Sequence, residues 1–255
     1  LPEHLVYHRS RREVVVNRVG YRDNTIDFIP LERFPQVTLR HSEPIHFPPH
    51  GLVELTDGQR LGVFSADFRF AEIEPIEGRV QRQRQVERGG PNAVVTNLAH
   101  TAGSDTVYLS TFGRQLGVYS LKGQPTIHVD VPFAGGDLVM SDQDKRVYQT
   151  DMMFGALNVI DTRSQTLVER QELGYQPRPI AVDTARDLLF VGSWFTGFVH
   201  LYRRSTLEPL GPPVFVGTYL RKFSYDQRRA LLYAGSRCGV YQLNIKTLWP
   251  TWGPG

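Results

Sequence analysis

A unit of about 42 residues recurs along this chain, and that repeat limits what it can fold into more than any other feature. "DTARDLLFVGS", residues 183–193, overlays "DQRRALLYAGS", residues 226–236. Asp183 meets Asp226, Arg186 meets Arg229, and Gly192-Ser193 meets Gly235-Ser236. Earlier copies begin near Asp142 ("DQDKRVYQTD"), Thr101 ("TAGSDTVYLS"), Leu55 ("LTDGQRLGVFS") and His8 ("HRSRREVVVN"). Each copy holds a short apolar run, a polar turn, a second run, a loop, an alternating run such as "GFVHLY", and a weaker fourth run such as "TLVERQEL". Period-two alternation of Val, Ile, Tyr and Phe between Gly, Asp and Ser is the pattern of β-strands, and no segment sustains a helical stripe. A lone four-stranded sheet cannot bury both faces, so repeated copies must stack on one another.

The fold class expected is therefore an all-β propeller of about six four-stranded blades, with approximate boundaries at 1–45, 46–88, 89–133, 134–174, 175–217 and 218–255 in a single domain. Six visible copies can close as six blades or form part of a seven-bladed propeller. The last copy has the poorest fourth strand, because "TLWPTW" carries Pro250, which cannot donate to a β-ladder. No strand exchange that would seal the first copy to the last is visible, so we expect the seam to rest on side-chain packing or on a partner.

"NVIDTRSQTLVERQELGYQPRPIAVD", with its Val-Ile-Asp-Thr and Gly-x-x-Pro, and "GYQPRPIAVDTARDLLFVGSWFTGFVHLY" resemble YVTN-type propeller repeats, close to NHL-type ones. "PPHGLVELTDGQRLGVF" and "GGPNAVVTNLAH" match more loosely, and the first copy fits by spacing alone. The resemblance implies a propeller. It also implies a family that includes surface and periplasmic binding proteins, lactonase-like enzymes and streptogramin lyase-like enzymes. A shared fold does not carry a shared chemistry.

Aligned copies allow one position to be followed through all of them. Two places before the first apolar residue of the innermost strand stand Glu3, His50, Asn92, Asp137, Arg178 and Arg221. All are polar or charged, and in a propeller they would gather at one mouth of the channel. They suit a small polar or anionic ligand, and equally a channel that is simply hydrated, with Asp137 and Arg178 pairing. The lactonase-like resemblance would draw on Glu3, His50, Asn92 and Asp137, but two arginines at the same mouth would repel a cation. His41, His46 and His50 lie within ten residues, yet their spacing suits a metal only on a folded-back loop. No metal site and no cofactor is expected.

The loop after the second strand opens on the same face. It carries Tyr21 in the first copy, Phe68 and Arg69 in the second, and Phe112 and Arg114 in the third. Met152, Met153 and Phe154 follow in the fourth, Trp194 and Phe195 in the fifth, and Arg237 in the sixth. Aromatic, Met and Arg residues are the types enriched at protein interfaces, and several large apolar side chains on one face would be unusual for a monomer. They can also tuck between blades as core.

Composition removes several other classes. The length, 255 residues, is near the upper size for one hydrophobic core. No apolar run approaches the roughly 18 residues of a membrane span. The single cysteine, Cys238, excludes an internal disulfide and a Cys-cluster metal site. Net charge is only +3, and the densest basic stretch, "RVQRQRQVER", lacks aromatic interleaving, so nucleic acid is not the expected partner. There is no G-x-S-x-G, no G-x-x-x-x-G-K and no H-E-x-x-H. We expect a non-catalytic scaffold that presents an aromatic and arginine-rich face to a partner protein or ligand, as an accessory subunit of a larger assembly. The alternative is a YVTN-like enzyme acting on a small ester or lactone. The arginine-rich surface, the absence of Met at position 1 and the family habit point to a periplasmic or secreted location.

Overall fold

The computed structural model describes residues 5–8, 11–18, 24–33, 39–55, 59–88, 90, 93–100 and 104–248. Its strands form six small antiparallel sheets, each a meander in chain order, and the fold is all-β, of the six-bladed β-propeller class. The chain divides into two compact units, residues 1–129 and 130–255.

The first unit holds three sheets. The first is β1 (Leu5–His8), β2 (Glu13–Arg18), β3 (Thr25–Pro30) and β4 (Arg40–His41). The second is β5 (Gly51–Glu54), β6 (Leu61–Phe64), β7 (Arg69–Glu74) and β8 (Arg79–Gln85). The third is β9 (Val95–His100), β10 (Thr106–Thr111), β11 (Gln115–Ser120) and β12 (Ile127–Asp130). Consecutive sheets pack face to face. Val15, Ile26 and Phe28 meet Leu52, Leu61, Val63 and Ile73 between the first two. Phe64 and Phe70 meet Val107, Leu109 and Tyr119 between the second and third. The basic stretch noted above is β8, and its Arg84 lies against the Phe70 and Tyr119 rings, 5.1 and 5.0 Å from their centroids. That arginine is packing material on a sheet face, with its aliphatic stem and planar head both in use.

The second unit repeats the plan. Its first sheet is β13 (Leu138–Ser141), β14 (Arg146–Asp151), β15 (Ala156–Asp161) and β16 (Thr166–Glu172). The next is β17 (Pro177–Asp183), β18 (Leu188–Ser193), β19 (Phe198–Arg203) and β20 (Val214–Phe215). The last is β21 (Lys222–Asp226), β22 (Leu231–Ser236) and β23 (Gly239–Asn244), followed by the short helix α1 (Ile245–Leu248). Three strands rather than four are therefore described in this sheet, and the chain turns helical where a fourth strand would begin. The remainder of "TLWPTW", from Trp249, lies outside the described residues. The third strands β15 and β19 are largely covered, whereas β23 is exposed along most of its length.

The turns explain why the repeat is visible in the sequence. An Asp ends one strand, its carboxylate accepts hydrogen bonds from the second and third residues beyond it, and the fourth takes a left-handed conformation before the next strand starts. Asp161 Oδ1 accepts from the Arg163 and Ser164 amides, both at 2.8 Å, and Gln165 has φ 55°. Asp183 Oδ1 accepts from the Ala185 and Arg186 amides, and Asp187 has φ 57°. Asp151 does the same for Met153 and Phe154, with Gly155 at φ 69°. This is the local bonding that makes Asp a turn former. Asp226 repeats the Asp183 turn in the next sheet, accepting from the Arg229 amide at 3.1 Å with Ala230 at φ 55°, so the second strands of these two sheets start alike.

Candidate functional site

In the second unit, antiparallel register sets the geometry of one end of each sheet. Pro177 pairs with Ser193, Leu138 with Gln149, and Lys222 with Gly235. The start of each innermost strand therefore lies beside the turn that follows the second strand. Three contacts tie the sheets together at this end. Between neighbours, Thr150 Oγ1 donates to the Arg178 carbonyl at 2.9 Å and the Leu220 amide donates to the Trp194 carbonyl at 3.0 Å; between the first and last sheets of the unit, Lys222 Nζ sits 3.3 Å from Asp137 Oδ2. Asp137, Arg178 and Arg221, one from each of three consecutive sheets, are thereby brought into one neighbourhood.

That neighbourhood is built around Trp194. The Arg178 guanidinium carbon lies 5.0 Å from the indole centroid and that of Arg221 lies 5.7 Å away. Trp194 in turn packs on Phe195, centroids 4.4 Å apart at 31°. Phe195 meets the edge of Tyr219 at 5.7 Å and 76°, and Arg237 lies over the Tyr219 ring at 5.7 Å. Each cation–π contact contributes about 0.5–2 kcal/mol depending on exposure. The backbone holds the indole from both sides, since the Trp194 amide donates to the Gln176 carbonyl at 2.9 Å. Gly197, at φ 77°, closes the turn; a Cβ there would meet the Gly217 carbonyl oxygen at 2.3 Å, so this tight crossing needs glycine.

The electrostatics are uneven. Burial lowers the Arg178 pKa, with Asp137 opposing the shift and Arg221 adding to it. Asp137 is buried and ion-paired with Lys222, while neither Arg178 nor Arg221 makes a side-chain hydrogen bond or ion pair within the described residues. The Trp194 indole N–H is enclosed with no acceptor in the same set. Arg221, Arg237 and Phe195 are exposed, so the array opens to solvent at one side.

Other expected residues are placed differently. Met153 and Phe154 are exposed in the turn between β14 and β15, with Phe154 against the edge of Phe133 at 6.4 Å, and Met152 is half-buried. In the first unit Phe112 and Arg114 are exposed in the turn between β10 and β11. Phe68 is a correction: it is fully buried in the core with Phe64, Phe70 and Tyr119, its backbone at φ 67°. Arg69 is occupied locally, its guanidinium paired with Asp67 at 2.8 Å, donating to the His46 carbonyl at 3.0 Å and covering Phe47. His50 is half-buried and its Nε2–H donates to the Thr96 carbonyl at 3.1 Å, while His41 Nδ1 is 2.8 Å from Asp27. Among the described residues no three His, Cys, Asp or Glu side chains converge as a metal site would need. Glu3, Asn92 and Tyr21 lie outside the described residues. Tyr219 and Lys222 belong to the site but escaped sequence reasoning. The signal was present in "GTYLRK", where an aromatic residue stands three places before the start of an innermost strand.

No protein-family model matches the chain, and no curated protein matches it. Among the described residues no helix is long and apolar enough to cross a membrane.

Proposed function

We propose that this propeller is a non-catalytic scaffold, an accessory subunit of a larger assembly, which engages a partner protein through the array Arg178–Trp194–Phe195–Tyr219–Arg237. The observation that carries this reading is the array itself. Two guanidiniums lie over one indole, neither making a side-chain hydrogen bond or ion pair within the described residues, and an exposed phenylalanine and a further arginine continue the surface. Trp, Tyr and Arg clustered in one patch form the composition of an interface hot spot, and a fixed platform loses little entropy on binding. The lactonase-like alternative has no comparable support, since His50 and Asp137 already hold partners of their own. Within this reading the chain is a YVTN/NHL-type propeller on the motifs quoted above, working outside the cytoplasm.

Selection of displayed random peptides against the purified protein, with the Trp194→Ala/Phe195→Ala protein as counter-target, tests it. Enrichment of peptides that bind the unaltered protein and not the double variant is the expected result. Equal recovery on both proteins would remove the array from any role in recognition.

A further inference from the structure

We propose that Arg178 and Arg221, beside the Trp194 indole, form an oxyanion subsite that takes a carboxylate or phosphoryl group of the ligand; this rests on the array being the recognition surface. A guanidinium presents its N–H donors as a planar fork, which matches the paired oxygens of these groups. Two such forks stand within 6 Å of one ring centroid, at 5.0 and 5.7 Å. Like charges held near each other repel unless an anion joins them. In the second unit Asp137 is the acid close enough to influence Arg178, and it is engaged by Lys222 at 3.3 Å. The donor capacity of both guanidiniums is therefore left for something outside the described residues. The site is preorganised: Arg178 extends from β17, the indole is clamped through the Trp194 amide and carbonyl, and Thr150 fixes the Arg178 backbone. Arg221 is exposed and leaves a route in. Phe195, 43% exposed beside the indole, gives an apolar flank, so the favoured ligand joins an oxyanion to an apolar or aromatic group.

The test is calorimetric titration of the full chain with inorganic phosphate and, separately, with N-acetyl-phenylalanyl-glutamate, each against sodium chloride of matched ionic strength. Binding of either probe above the chloride baseline is expected, and which probe binds tells a phosphoryl source from a carboxylate source. Arg221→Gln should weaken the bound probe by at least about tenfold, with Arg221→Lys recovering only part because the fork is lost. Arg221 is exposed, so its replacement leaves the fold intact, and a thermal melt checks this. No heat from either probe above chloride, or equal binding by Arg221→Gln, would overturn the subsite. The two readings separate cleanly. Peptides selected by the array without any response to either anion would remove the subsite alone. Anion binding without peptide selection would remove the partner reading and leave the subsite.

Discussion

Replacement of Asp183 by Ala should unfold a large part of the second unit's stability, and the amount follows from its surroundings. The side chain has no exposure, and its two oxygens accept four hydrogen bonds. Oδ1 takes the Ala185 and Arg186 amides at 3.1 and 3.2 Å, while Oδ2 takes Arg186 Nη1 at 2.7 Å and the Tyr225 hydroxyl at 2.6 Å. The first two close the turn between β17 and β18; the last crosses to β21 in the next sheet. Removing one partner of a buried ionic group costs about 3–5 kcal/mol, because the remaining groups are left without it. Arg186 keeps one further acceptor, the Gln227 carbonyl at 2.9 Å, which limits its share. Tyr225→Phe deletes a single bond to a charged acceptor and leaves the carboxylate three donors, so its cost should be near 1.5 kcal/mol. Urea unfolding followed by circular dichroism, for both single variants and the double, gives these values and the coupling between them, expected at about 1 kcal/mol or more. A loss for Asp183→Ala within about 0.5 kcal/mol, or strict additivity with Tyr225→Phe, would refute the claim that this carboxylate docks consecutive sheets.

Three further outcomes follow from packing and charge. Phe195→Ala should cost less than about 1 kcal/mol, since Phe195 is 43% exposed, whereas Phe190→Ala, at a fully buried position, should cost about 3–5 kcal/mol in the same urea assay. Gly136→Ala should destabilise by about 2 kcal/mol or more, because its Cβ would lie 1.9 Å from the Thr150 carbonyl oxygen, and a thermal melt will show it. His200, stacked on Tyr175 at 4.0 Å, has its pKa lowered from 6.5 by burial. The unfolded chain therefore takes up this proton first. The contribution of His200 is complete above pH 6.5 and is lost as pH falls through the lowered folded value, and melts of the unaltered protein and His200→Phe across pH 5–8 should show that slope only in the former.

The blades were legible in the sequence because the turn device is local. An Asp, backbone amides bonded to it and one left-handed residue need no tertiary information, and Asp183 and Asp226 place it at the same turn of consecutive copies. The alignment also brought out Arg178, Arg221 and Trp194, since matching heights in neighbouring copies become neighbours in space. It failed where residues of one loop face different ways. Phe68 lies in the loop after the second strand, as Trp194 does in its copy, but at the place of Gly197: its carbonyl accepts from the Val86 amide as that of Gly197 accepts from Val216, and its ring is fully buried. It was equally blind to occupancy: Arg69 reads as an interface residue but is consumed by Asp67, His46 and Phe47. The sixth copy shows the opposite effect. Its sequence keeps the spacing of a blade, but "IKTL" winds into a helical turn and leaves β23 exposed.

The most direct measurement is the calorimetric affinity of an array-selected peptide for three proteins: unaltered, Trp194→Ala/Phe195→Ala, and Phe215→Ala. Phe215 is 59% exposed on the outer strand β20 and packs on Phe198, so it reports what loss of an exposed aromatic residue does outside the array. Recognition through the array requires a loss of at least about tenfold in the double variant and less than about twofold in Phe215→Ala. Unchanged affinity in the double variant, or equal losses in both, would contradict it.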